Sequence, residues 1–520
     1  MGFLFIIAGI TFFSGLWLAP TGEMILCGKA GWFGSLEYPV CSTFTEVEFL
    51  CLAMLAVCGG ISLHFSKHYF GWSQSNLGLL VLGFISVMAI LVTTGDMWTT
   101  LVLWEYLGFI SFLLILYYGT SDTAYAANAT LVTSRFGDVG LFLLLASAMV
   151  GVENWVAAMT GICLFMIIAT KSAVIPFSSW LLEAMRAPTP VSCLVHSSTL
   201  VAAGVWFSCQ YGHLLASSVS DWLGLACLVT VVVSASSALY FSDVKKIVAL
   251  STCNNIAWCV VYYLMGSKLL CAVQLVSHGV AKCMLFMGVG DALSSSFSSQ
   301  NNTHLLSYGN VAPSGWFWTS ALVLIIAGVP FNGVFFSKHL LLAASSSHLN
   351  PVVGLLVGYG VYLTYFYSGR LLFLISNPPG GISNSLYTLF TPVGLLVGLG
   401  GIVNYTAAFS LEEPVPLGVA CSVMVVAAQA LGLIRGLAYA SFQREAGWYS
   451  LFLGQDIVVK SSIAAWGHLG HYLISFIQAR WEVGTGASAA KSLKDGSSNL
   501  LSGLPVLLGL LMMLCLWFFY

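Results

Sequence analysis

Charge is scarce in this chain. Its 520 residues include 17 basic and 19 acidic side chains, 7% of the total, where a soluble domain carries roughly 25%. Mean hydropathy is +0.93. Such a sequence cannot cover a soluble fold or stay disordered in water. A formal net charge of -2 with scattered Lys and Arg provides no basic footprint for nucleic acid. Alternating polar and apolar residues, the mark of a membrane β-barrel, are also missing. The 14 cysteines form no C-x-x-C pair and lie mostly in apolar runs, where Cys behaves as a small hydrophobe. This speaks against a disulfide scaffold, a zinc ribbon or an iron–sulfur cluster on this chain. There is no phosphate-binding G-x-x-x-x-G-K-[ST] loop, no dinucleotide fingerprint and no serine-hydrolase elbow.

What is present is apolar runs of membrane length, about 20 residues each. They predict an all-α polytopic membrane protein, with about fifteen helices near 2–20, 45–65, 76–94, 98–118, 125–149, 155–182, 190–211, 221–240, 246–265, 268–292, 315–340, 351–376, 386–408, 415–435 and 501–519. MGFLFIIAGITFF lacks a positive leader and reads as a first membrane helix. The longer connections, 21–44, 293–312 and 477–500, read as polar loops. Residues 440–498 carry Arg444, Glu445, Asp456, Lys460, Arg480, Glu482, Lys491, Lys494 and Asp495. Part of this stretch, about 456–492, reads as an amphipathic helix lying along a surface, followed by an anchor helix. The expected division is 1–75, N-terminal helices; 76–376, a translocating core; 377–455, C-terminal helices; 456–498, lateral helix and linker; 499–520, anchor.

The informative residues are charges inside apolar helices, each costing about 2.5–3.5 kcal/mol at the bilayer centre. They are Glu105, Lys171 and Lys338, with the stripe Gln274, His278 and Lys282, spaced by four and so on one helix face. Pro176 follows Lys171 and frees the Ser172 carbonyl; Pro330 precedes Lys338 and frees that of Ile326. Two broken helices, each with a buried Lys, point to a repeated transporter architecture. His196 sits among hydroxyl residues, His339 follows Lys338, and Arg135 and Asp138 are spaced to pair. Lys245 and Lys246 follow Asp243 at a helix start, with Ser251, Thr252, Asn254 and Asn255 continuing inward. The rival reading of each charge is an interhelical lock or a side chain snorkelling to the interface. Taken together, the residues indicate a proton or cation translocator with no cofactor of its own.

The segments LVLWEYLGFISFLLI, SRFGDVGLFLLL, TKSAVIPFSSWLLEAMRAPTPVSCLVHSSTLVAAG, SDVKKIVALST, SHGVAKCMLFMGVGD and AGVPFNGVFFSKH occur in this order. From about Trp98 to Arg370 the chain resembles the antiporter-like subunits of respiratory NADH:ubiquinone oxidoreductase (complex I), which are related to Mrp-type antiporters. The P-T-P-V-S-x-L-x-H-S-S-T segment favours the distal, subunit 5 type. The resemblance implies 15–16 membrane helices in two inverted repeats. It makes Glu105 the partner of Lys171, and Lys171 the proton-carrying Lys of the first broken helix. His196, His278 and Lys282 would continue a hydrated axis to Lys338 near the exit. Asp138, Glu183, Lys246, Gln274 and His339 would support it. The chain would carry no redox chemistry; NADH, FMN, iron–sulfur clusters and ubiquinone would belong to other subunits. Expected partners are subunit 4, subunit 2 through the lateral helix, and lipids such as cardiolipin, in the mitochondrial inner membrane. Three positions depart from the family pattern: Gln274 and Ser179 stand where a His is usual, and His339 where an acid is common. The alternatives are a stand-alone Mrp-type antiporter subunit, and a structural membrane subunit whose buried charges lock helices.

Overall fold

The computed structural model describes residues 24–31, 37–70, 75–150, 156–215, 217–295, 313–329, 334–348, 351–376 and 418–439 of one unit, 1–456. In a second unit, 457–520, it describes helical residues at 464–465, 467–472 and 475–476, inside the stretch read as a lateral helix. The helices expected at 2–20, 386–408 and 501–519 lie outside the described residues.

The chain is a polytopic helical membrane protein. Among the described residues, nine helices are long and apolar enough to cross a membrane. One hairpin interrupts the pattern, in the connection expected to be a polar loop. Strands β1 (Met24–Gly31) and β2 (Glu37–Phe44) pair antiparallel, Met24 opposite Phe44 and Gly31 opposite Glu37. Among the described residues the sheet has two strands, with one isolated bridge from Ser42 to Thr94, so Pro39 can sit opposite Lys29 without leaving a ladder bond unmade on a second side.

Helix α1 (Glu46–Phe70) begins with two acids and ends with Lys67 and His68, matching the helix dipole. Then come α2 (Ser75–Val92), α3 (Met97–Ile115), α4 (Ser121–Val150) and α5 (Val156–Lys171). A short α6 (Ser179–Glu183) leads to α7 (Thr189–Ser197) and α8 (Leu200–Tyr211). The long helices α9 (Ser217–Ser237), α10 (Val244–Leu264) and α11 (Lys268–Ser295) follow. Helices α12 (Pro313–Ala327), α13 (Phe335–His348), α14 (Pro351–Ser376) and α15 (Val419–Tyr439) complete the unit.

Burial sorts these helices. The most apolar 18-residue stretch of Thr189–Leu214 is wholly buried, and those of Val244–Leu264 and Lys268–Ser294 nearly so. Helix α11 packs against α1, α7, α10 and α12 at the centre. Around it, exposed Leu79, Tyr106, Phe142, Trp222 and Leu355 give the outer helices the apolar face that lipid requires. At the edge, α14 and α15 touch backbone to backbone: a Cβ on Gly436 would lie 2.2 Å from the Phe366 carbonyl, and one on Gly432 2.7 Å from that of Tyr362. Small residues permit such contact, which supplies dispersion energy where lipid offers no hydrophobic drive.

The helix expected at 155–182 stops at Lys171, and the one expected at 315–340 is split between Ala327 and Phe335. A third interruption, at Ser198 and Thr199, divides the helix expected at 190–211. There the Ser197 hydroxyl donates to the Cys193 carbonyl and Thr199 Oγ1 to that of Leu194 at 3.0 Å. Consecutive hydroxyl residues compete with the backbone for its own acceptors, and the helix gives way.

Candidate functional site

The first broken helix places Lys171 at its C-terminal end. The chain turns back through Ala173 at φ 54, and Trp180 Nε1 donates to the Thr170 carbonyl at 2.9 Å. Ile175 N–H finds Thr230 Oγ1 at 3.1 Å. Polar backbone set free by the break is therefore taken up by neighbouring helices, as the membrane interior demands. Lys171 is buried, its Nζ 5.1 Å from the Trp104 ring centroid and, among the described residues, without a hydrogen-bond partner. It borders a cavity of about 10 Å³ whose lining includes Ser111, Thr130, Thr133, Ser134 and Trp180. That is room for about one water among hydroxyl groups.

The expected direct pair of Glu105 with Lys171 is not what the geometry shows. Glu105 on α3 is bonded by Arg135 on α4, which also reaches Asp138 Oδ2 at 3.3 Å. A guanidinium presents several donors in a plane and can hold two carboxylates, which a single ammonium does less well. Lys171 interacts with the group through space, with Asp138 first and Glu105 second. Two acids and two bases thus form one neutral set. Asp138 is buried in it, while Arg135 is half exposed.

Two further buried helices carry titratable side chains. His196, on wholly buried α7, stacks with Trp180 (ring centroids 6.2 Å apart) and lies 6.4 Å from Phe286 of α11. Among the described residues neither ring nitrogen of His196 has a hydrogen-bond partner, and the same is true of His278. Gln274, His278 and Lys282 are wholly buried on α11. Lys282 Nζ donates to Val248 O at 3.0 Å and to Ser251 Oγ, which ties it to the polar start of α10. His278 is within electrostatic reach of both Lys282 and Lys338.

Lys338 closes the row at the second break. Its Nζ donates to the Ala327 carbonyl at 2.9 Å and to that of Ile326 at 3.2 Å, the orphan acceptors at the end of α12. Gly328 makes the arrangement possible: its φ of +86 suits glycine, and a Cβ there would press on Lys338 Cδ at 3.1 Å. Tyr365 donates to the Gly328 carbonyl.

Other expected residues fall outside the row. Glu183 pairs with Arg186 at 3.0 Å, and Arg186 also reaches Asp122 at 3.3 Å, forming a separate ion cluster near the surface. Lys246 is half buried with its ammonium 6.0 Å from the Phe241 ring; the buried member of that pair is Lys245. Asp243 caps α10 by accepting from Lys245 N–H at 3.1 Å. The His339 ring lies tilted against that of Phe335, centroids 5.7 Å apart, one residue beyond the row's last member. The reading from sequence left out Trp180 and Ser337, although both flank the proline breaks that drew attention to their neighbours.

The family model described as NADH:quinone oxidoreductase/Mrp antiporter, TM matches residues 94–364. The chain belongs to this antiporter family. The match contains every member of the row, from Glu105 to Lys338. The NADH-ubiquinone oxidoreductase chain 5 of Mytilus edulis is 31% identical over 401 residues, covering 74% of this chain and 69% of that one. Its counterpart in Lumbricus terrestris is 33% identical over 422 residues, 75% of this chain and 72% of the relative. In solved structures, the Mrp complex from Dietzia sp. superposes with a TM-score of 0.72 at 19% identity, over 98% of this chain and 58% of that one. The membrane-bound sulfane sulfur reductase, an archaeal respiratory complex, gives 0.64 at 18%, over 84% and 92%. These two likenesses are of fold. In this antiporter-family fold the wholly buried centre is also where the titratable side chains gather, so the scaffold and the polar row are one object.

Proposed function

We propose that this chain is the distal, subunit 5 type member of the membrane arm of a respiratory NADH:ubiquinone oxidoreductase, and that it translocates protons across the mitochondrial inner membrane. NADH oxidation and quinone reduction take place elsewhere in the complex; FMN, iron–sulfur clusters and ubiquinone belong to other subunits. The observation that carries the reading is the gathering of buried titratable side chains in the core of the fold, Lys171, His196, His278 and Lys282, with Lys171 Nζ and both nitrogens of His196 and His278 meeting no hydrogen-bond partner among the described residues. Helix locks would set opposite charges together, whereas His278, Lys282 and Lys338 are all bases within electrostatic reach of one another. Groups that exchange protons with internal water need free valences.

The mechanism is electrostatic. Arg135 holds Glu105 and Asp138, and Lys171 balances what remains. A charge arriving beside half-exposed Arg135 from the neighbouring subunit draws the carboxylates toward or away from Lys171. The ammonium is then loaded or emptied, since a nearby negative charge favours the protonated form. Protons leave by way of His196, His278 and Lys282 for Lys338. Subunit 4 at the adjoining face, subunit 2 along the lateral helix, and cardiolipin complete the proposed surroundings.

Native electrophoresis of gently solubilised membranes, with in-gel NADH oxidation and peptide identification, tests the assignment. Co-migration of this chain with a very large NADH-oxidising particle is expected. A smaller particle lacking that activity, with sodium-dependent proton exchange, would replace it by an Mrp-type antiporter.

A further inference from the structure

On α11 the stripe of Gln274, His278 and Lys282 has one member that cannot ionise. A carboxamide offers donors and acceptors but no transferable proton at neutral pH. A proton moving along this face toward Lys338 therefore lacks a carrier at Gln274. The neighbouring helix supplies a group there. Ser337, on α13 and wholly buried, donates its hydroxyl to Gln274 Oε1, and Val334 O lies within its reach at 3.1 Å. The next residue along α13 is Lys338. Gln274 Nε2, on the other side of the amide, is buried and meets no partner among the described residues, as is true of both nitrogens of His278 one turn away. An unpaired amide donor in this position can hold a water on the side from which the proton comes.

We propose that Ser337 relays protons between α11 and Lys338, with Gln274 holding its hydroxyl in register. The proposal rests on the pumping reading above. A proton delivered by water adds to a lone pair of Ser337 Oγ. The proton already on that oxygen leaves through a second water to the free-base amine of Lys338. The delivering water gives up one O–H bond, Ser337 gains one and loses one, the second water likewise gains one and loses one, and one N–H bond forms on Lys338; no electrons are exchanged and Ser337 stays neutral. Rotation of the hydroxyl back to Gln274 Oε1 resets it. Two acceptors, Gln274 Oε1 and Val334 O, give this rotor two defined positions.

The test uses the assembled complex in sealed vesicles, carrying Ser337→Ala, Ser337→Thr, Lys338→Met, or Ser337→Ala together with Gln274→His. Protons translocated per NADH oxidised are measured, and the amount of assembled complex is read on the same membranes. Ser337→Ala is expected to lower the ratio to that of Lys338→Met. Ser337→Thr restores it by keeping a hydroxyl. Gln274→His restores it in the Ala background, because an imidazole carries the proton itself. A wild-type ratio in Ser337→Ala beside a lost one in Lys338→Met overturns the relay. So does a loss that neither Thr nor Gln274→His recovers, which marks the bond as a packing lock. An unchanged ratio in Lys338→Met overturns the pumping reading, and the relay with it.

Discussion

Replacing Lys171 with Met removes one of four charges from a neutral set. Met keeps most of the volume beside Trp104, so packing is nearly conserved. Electrostatics is not: Asp138, only 3% exposed, is left to share Arg135 with Glu105. Breaking a buried pair by deleting one partner costs about 3–5 kcal/mol. At about 1.4 kcal/mol per decade, that is a population change of about a hundred- to a few thousand-fold. Asp138 is the acid that acts most strongly on Lys171, so Asp138→Asn in the same chain should remove most of the stray charge. The residual cost should then approach that of one imperfect neutral hydrogen bond, about 1 kcal/mol. The assay is a double-mutant cycle on thermal stability and yield of the purified complex, with protons per NADH measured in vesicles. Two outcomes are expected together: the double variant assembles far better than Lys171→Met, and it fails to pump through this subunit. A double variant no more stable than the single one would refute the neutral-set geometry. One that assembles and pumps at the wild-type ratio would refute the role of Lys171.

Three further outcomes follow from local contacts. Gly436→Ala should push α14 and α15 apart, because the new Cβ would meet Phe366 O at 2.2 Å and Arg370 N at 2.9 Å; overpacking of this kind costs about 1–3 kcal/mol, readable as a lower melting temperature. Arg370→Met leaves the Ala238 and Phe241 carbonyls, now bonded at 2.7 and 2.9 Å, without donors; a loss of about 1–3 kcal/mol for each acceptor left dry is expected, and Arg370→Lys should recover only part of it on the same melt. Burial raises the Asp243 carboxyl above its ordinary 3.8 against the pull of Lys246 and Lys245. Its ionised form therefore costs stability above that range, and the cost fades as pH falls. Asp243→Asn keeps a good cap and should melt higher than the parent at pH 8, with the gap closing toward pH 4; a constant gap would refute the assignment.

The sequence disclosed the helical membrane class because continuous apolar runs have few other meanings. It drew attention to Lys171, His278, Lys282 and Lys338 because charge in such runs is costly, and the structure buries the first three. It did not disclose who holds whom. Glu105 was expected to pair with Lys171, yet the Arg135 guanidinium, thirty residues away in sequence, takes that carboxylate. Long-range partners depend on how α3, α4 and α5 pack, and spacing along one helix carries no such information. The break at Ser198 was missed since hydroxyl runs are common in membrane helices and disrupt them only where acceptors lie well. The hairpin was missed because its strands are short and only half apolar. Lys246 was favoured over Lys245 because nothing in two adjacent lysines says which one a helix turns inward.

Under the proposed relay, the nitrogens of Lys171, His196, Gln274 and His278, which meet no partner among the described residues, would make the protein's interior sensitive to the activity of water outside it. A path built from side chains alone has a fixed composition. One completed by exchangeable water is a compartment with its own filling equilibrium. Solutes too large to enter would draw that water out, and turnover should fall with osmotic pressure while the fold itself stays put. The slope of that decline counts the molecules that must be in place for each passage.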